Sequence, residues 1–160
     1  MLFQTLLRED EANKIIKDFT AKQLEPALSK LEKLALNVSR FRIDLFSSFN
    51  RRGLHHLQEQ YQEENRNLLG LYYLYGNPTK LFADLKLDPQ KDAEKIKSLM
   101  DEYYYSRQAI MASFDQAFKL LELSDRQLSR FYQSADQRLA MFLSSAAITV
   151  SALAVIFNVF

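Results

Sequence analysis

From Leu24 onward, apolar side chains recur at alternating steps of three and four. Leu24, Leu28, Leu31, Ala35, Val38, Leu45 and Phe49 fall on this spacing, with Arg42 in the vacant place. Steps of three and four keep residues on one side of a helix, and their regularity predicts a coiled-coil-like seam. At Ser47 to Gly53 the phase slips. Leu54, Leu57, Tyr61, Leu68, Leu71 and Tyr75 then form a second seam, with Glu64 in phase. The slip has two readings: the chain turns back, giving a four-helix bundle, or one helix runs from Pro26 to about Tyr75 with a local stutter. A single glycine costs about 1 kcal/mol in a helix, too little to force a turn, so propensity favours the continuous helix.

The flanking segments complete the pattern. Residues 1–24 read as a short first helix, with Leu6, Ile15, Ile16, Phe19 and Leu24 as its apolar side and Met1, Leu2 and Phe3 packing inside the body. Pro26 marks the next helical start, where its missing N–H costs nothing. Gly76-Asn77-Pro78 ends the second seam, and Leu81, Phe82, Leu85 and Leu87 cover the tip of the turn. Asp88-Pro89 then opens a further helix, with Asp as N-cap. Ala93, Ile96, Met100, Tyr103, Ile110, Phe114, Ala117 and Leu121 keep the three-four spacing, with Arg107 in phase. Leu128, Phe131 and Ala135 resume it after Ser124-Asp125-Arg126-Gln127, which resembles a capping box and allows a break there. The expected architecture is all-α: a long antiparallel helical hairpin with a short N-terminal helix and a C-terminal transmembrane helix. A hairpin about residue 82 would set Arg42 near Glu122 and Phe46 near Phe118.

The chain closes on LAMFLSSAAITVSALAVIFNVF, residues 139–160, which contains no charge, proline or glycine. About 22 residues at 1.5 Å each make a helix of roughly 33 Å, enough to cross the hydrocarbon core of a bilayer. The competing reading, a buried helix of a soluble bundle, is normally shorter and interrupted by polar positions. The expected organisation is therefore a helical body, 1–138, and a transmembrane helix, 139–160. Arg126, Arg130 and Arg138 precede the span and nothing charged follows it, so the body is expected in the cytoplasm of a single-pass protein. A span at the end of the chain would insert after translation, as in tail-anchored proteins.

Composition narrows the chemistry. The 160 residues carry a formal charge of +1, which gives no global field for nucleic acid, and no cysteine, which excludes disulfides and thiolate chemistry. His55 and His56 are adjacent and diverge by about 100° on a helix, so they do not chelate one metal. No phosphate-binding glycine loop or nucleophile elbow occurs. No cofactor, metal or catalytic residue is assigned, and the expected partners are a lipid bilayer, further copies of the chain and a protein partner.

Two patterns are candidates for interaction. Ala140, Ser144, Ala147, Ser151, Ala154 and Asn158 line one side of the span with small or polar groups. Such stripes let helices approach closely in lipid, which predicts an oligomer seam. A narrow pore lined by Ser144, Ser151 and Asn158 is the alternative, and it would need several subunits. The second pattern is a tyrosine cluster: Tyr72, Tyr73, Tyr75, Tyr103, Tyr104 and Tyr105. A hairpin brings the two triplets together as a partner-binding candidate, because tyrosine buries area and keeps a polar tip.

Arg51 and His56 stand in an Arg-x4-His spacing. That spacing resembles the one in the HEPN type of all-α ribonucleases, where Arg and His meet across a dimer at the scissile phosphate. The likeness covers these two positions and implies a membrane-tethered RNase using Arg51 and His56. The competing reading of the same segment is a solvated helix face.

The expectation is thus a structural or adaptor module that self-associates at a membrane. A pore-forming or membrane-disrupting effector and the RNase are the alternatives.

Overall fold

The computed structural model describes residues 12–42 and 51–159, with side chains through Val155. Among these residues there is no strand, and the all-α expectation holds. Residues 12–40 form one unbroken helix, α1. It passes through a π-helical turn at Thr20–Leu24, where the Glu25 N–H donates to the Thr20 carbonyl, and continues as Glu25–Arg40. The widened turn lies directly before Pro26. In a regular helix the proline ring would crowd the carbonyl of Lys22, and proline has no N–H to give it. Pro26 therefore does not start a helix, as its chemistry suggested; the helix widens and passes through it.

α1 ends at Arg40, where Phe41 adopts an extended conformation with ψ of 132°. A second helix, α2, spans Arg52–Tyr75. The continuous helix from Pro26 to Tyr75 is thus not formed, and the chain reverses between them. Leu45 and Phe49 of the expected seam, and Phe46, expected near Phe118, lie outside the described residues. The reversal lets Leu54 and Leu57 of α2 pack on Leu34 and Val38 of α1. Burial of each such leucine contributes about 1.5–3 kcal/mol, which outweighs the local preference for continuing a helix. Gly53 marks the crossing: a Cβ there would lie 3.2 Å from the Phe41 ring.

Past α2, Asn77 caps a single turn, α3, Pro78–Leu81, by accepting from the Lys80 N–H at 3.4 Å. Gly76 keeps an ordinary right-handed conformation, with φ of −66°. Glycine relieves crowding there, because a Cβ would lie 3.0 Å from the Tyr72 carbonyl oxygen. A short 3-10 turn, Ala83–Leu85, follows and closes on Lys86 in the left-handed region, with φ of 46°. Phe82 is buried and Leu81, Leu85 and Leu87 pack against the core, so this loop covers the tip as expected.

The last helix, α4, spans Ala93–Val159, 67 residues, or about 100 Å. It starts four residues after the expected Asp88-Pro89. Asp88 does accept a backbone N–H, from Gln90 at 3.0 Å, and its carbonyl accepts from Asp92 at 2.8 Å. These bonds close one isolated turn that does not propagate. The possible break at Ser124 does not occur. Its buried hydroxyl donates to the Leu120 carbonyl at 2.8 Å and is satisfied inside the helix.

The described helices α1, α2 and α4 pack pairwise as a three-helix bundle. Phe19 stacks on Tyr75 at 5.2 Å and Tyr75 packs on Tyr103 at 5.2 Å, while Phe41 meets Phe131 at 5.5 Å. α1 and α4 therefore run the same way, and α2 runs against both. This corrects the register expected for a hairpin about residue 82. Glu122 pairs with Arg126 on its own helix, and Phe41, beside Arg42, rests on Phe131 instead. The core is buried in two groups. One, at the α2–α4 turn, holds Leu68, Tyr75, Leu99, Tyr103 and Phe114; the other, at the opposite end, holds Leu34, Val38, Leu54, Leu57 and Leu128.

Candidate functional site

The bundle stops before α4 does. Leu128 and Ala135 are the last fully buried positions on α4. From Ala140 to Val155 every residue is exposed, including Met141 at 67%, Ile148 at 70% and Val150 at 66%. The helix continues through these residues beyond the buried core of the bundle. In the body the seam positions are buried and the charged positions solvated; here apolar side chains point outward on all sides. α4 is the one helix among the described residues long and apolar enough to cross a membrane.

The small-residue stripe sits on this free segment. Ala140, Ser144, Ala147, Ser151 and Ala154 are exposed along it, and the side chain of Asn158 lies outside the described residues. Thr149 donates its hydroxyl to the Ser145 carbonyl at 2.9 Å. Such a bond gives a polar side chain an internal partner, as a helix in hydrocarbon requires.

The tyrosine cluster divides in two. Tyr75 and Tyr103 are core residues. The Tyr103 hydroxyl donates to the Tyr75 carbonyl at 2.8 Å, satisfying one of the carbonyls left open at the end of α2. The Tyr75 hydroxyl lies 3.0 Å from Ser106 Oγ. Burial raises the pKa of both phenols above the usual tyrosine value, and that of Tyr61 as well. Tyr72 lies edge-on to Phe114 at 5.5 Å and Phe118 at 5.6 Å. Tyr73, Tyr104 and Tyr105 project into solvent, Tyr105 at 85% exposure. Of the six, these three and the edge of Tyr72 remain accessible to a partner.

The sequence pattern did not indicate two of the clefts at this end. One, of about 430 Å³, lies between the α2–α4 loop and α4, lined by Phe82, Leu87, Ile96, Leu99 and Met100. The other, of about 390 Å³, lies between Tyr72, Tyr73, Lys80 and Arg107. Both depend on the loop from Gly76 to Asp92, whose path no periodicity records.

Arg51 and His56 are drawn into separate contacts. Arg51 Nη2 donates to Asp136 Oδ1 at 2.6 Å, and His56 Nε2 lies 3.1 Å from Gln60 Nε2. Among the described residues, no three His, Cys, Asp or Glu side chains are grouped to hold a metal ion. Compared with protein-family models, curated proteins and solved structures, the chain has no match in any of the three.

Proposed function

We propose that this protein is a membrane-anchored structural or adaptor module that self-associates. α4 anchors it, and the three-helix bundle is the part offered to partners outside the bilayer. The observation that carries this reading is the change along α4 from seam-buried positions, ending at Ala135, to all-round apolar exposure over 140–155. Water penalises such a surface at about 25 cal/mol per Å², and lipid removes that penalty. Arg126, Arg130 and Arg138 precede the segment, which supports a cytoplasmic bundle by the positive-inside rule.

Self-association draws its support from the stripe of Ala140, Ser144, Ala147, Ser151 and Ala154, which allows close helix approach in lipid. The exposed Tyr73, Tyr104 and Tyr105, at the far end of the bundle, are the candidate surface for a protein partner. The test is subunit number, measured on the full chain in mild detergent. An oligomer that dissociates when Ser144 and Ser151 are replaced by leucine supports the reading. A monomer contradicts it, and so does an oligomer unaffected by those changes.

A further inference from the structure

Seven of the chain's arginines fall in three stretches far apart in sequence: Arg40 and Arg42; Arg51 and Arg52; Arg126, Arg130 and Arg138. The fold gathers all three at one end of the bundle. The end of α1 meets α4 through Phe41 and Phe131, and the start of α2 meets it through Arg51 and Asp136. Gly53 lies against Phe41 and closes the third side. This is the end from which α4 leaves the bundle as an apolar helix.

Arginines outnumber the acids there. By sequence, residues 40–52 and 126–138 contain two acids, Asp44 and Asp136, and Glu122 and Asp125 lie just before Arg126. Asp136 is taken up by Arg51, and Glu122 by Arg126. Arg40, Arg42 and Arg130 are exposed, and among the described residues they pair with no carboxylate. The chain's overall +1 therefore conceals an asymmetry, positive at this end and negative over the remainder.

Position selects the counter-charge. Arg138 directly precedes Leu139, where the uncharged segment begins, and Arg51 is held level with Asp136. The polar head-group layer of a bilayer extends about 5–8 Å beyond the hydrocarbon, so these residues sit at its depth. Arg130 lies eight residues earlier on α4 than Arg138. That is about 12 Å further out, little more than one screening length of about 8 Å from the head groups.

We propose that this end of the bundle is an arginine collar that binds the phosphates of anionic phospholipids in the leaflet α4 enters. The inference rests on the membrane reading above and goes beyond it. The collar selects lipid charge, orients the bundle on the surface and favours anionic membranes. Its parts come from all three helices, so it exists only in the folded bundle.

The test reconstitutes the full chain into vesicles of phosphatidylcholine, alone or with a minority of phosphatidylglycerol. Native mass spectrometry then reads the lipids each protein retains. The collar predicts enrichment of phosphatidylglycerol over its share in the vesicle, weakening with salt. Replacing Arg40, Arg42 and Arg130 by glutamine should reduce that preference by up to roughly fivefold per arginine at low salt. The charge-matched replacement of Lys30, Lys33 and Lys97 should leave it unchanged. Equal retention of both lipids overturns the collar while leaving the anchor intact, and so does equal loss in the two triple variants. Failure to enter vesicles of either composition overturns the anchor and the collar together. Arginine-dependent binding of a short single-stranded RNA without any lipid preference would assign the collar to nucleic acid and overturn the lipid proposal.

Discussion

Arg51, just before α2, and Asp136, on α4, are 85 residues apart in sequence and joined at 2.6 Å. Their contact fixes the lower end of α2 against the last turns of the bundle, just before α4 becomes apolar. Both side chains remain partly in water, at 35% and 64% exposure. Exposed pairs contribute little, so Asp136→Asn should cost about 0.5 kcal/mol, read by thermal melting of the detergent-solubilised chain. A loss of several kcal/mol would mean that the pair is far more enclosed than its exposure indicates.

The aromatic group at the α2–α4 turn should dominate stability. Phe114 is fully buried and faces Tyr72 and Tyr75. Phe114→Ala should destabilise by about 3–5 kcal/mol. Tyr105→Ala should change stability by less than about 0.5 kcal/mol, since the ring is in solvent. Denaturant unfolding of the two variants side by side measures the contrast.

The buried phenols predict a loss of stability at high pH. Tyr61, Tyr75 and Tyr103 have pKa values raised from 10.0, chiefly by burial. The folded state therefore holds these protons more tightly than the unfolded chain. Their contribution is complete below pH 10 and falls as pH rises through the raised values. Unfolding midpoints measured from neutral to strongly alkaline pH should decline above about pH 10. Tyr75→Phe and Tyr103→Phe should each make that decline shallower, while costing about 1 kcal/mol at neutral pH for the lost hydrogen bond.

Gly70 sits within α2, exposed, with open space where a Cβ would stand. Gly70→Ala should therefore stabilise the bundle by about 0.5–1 kcal/mol through helix propensity alone. A rise in melting temperature without change in oligomer size checks it.

Much of this architecture was legible in periodicity. The seams through Leu24, Leu31 and Val38, through Leu54, Leu57, Leu68 and Tyr75, and through Tyr103, Phe114, Ala117 and Leu121 are buried as their spacing requires. Periodicity marks which side of a helix is buried, but not which helix covers it. The reversal between Arg40 and Arg52 was missed because a glycine and a phase slip are weak local signals. The packing of Leu54 and Leu57 on Leu34 and Val38 is non-local and decides the matter. Register failed for the same reason: with a third helix in the bundle, the α1 side chains meet α4 further along than a simple hairpin allows. Composition alone identified the free apolar segment, because a run without charge or breaker is a local property. Within the tyrosine cluster, sequence could not separate Tyr75 and Tyr103 from Tyr73, Tyr104 and Tyr105. The distinction depends on the rotation of each helix against its neighbours.

The central claim is that lipid surrounds the apolar end of α4, and alkaline carbonate extraction of membranes containing the full chain tests it most directly. The intact chain should stay in the pelleted membranes. Ile148 and Val150 are exposed and lie beyond the last buried position of the bundle core, so Ile148→Arg with Val150→Arg should leave the fold unchanged. Two arginines near the middle of a span cost about 5–7 kcal/mol, and the double variant should move to the supernatant with its helical content intact. Intact chain released into the supernatant, or a double variant that remains with the membranes, would contradict the account.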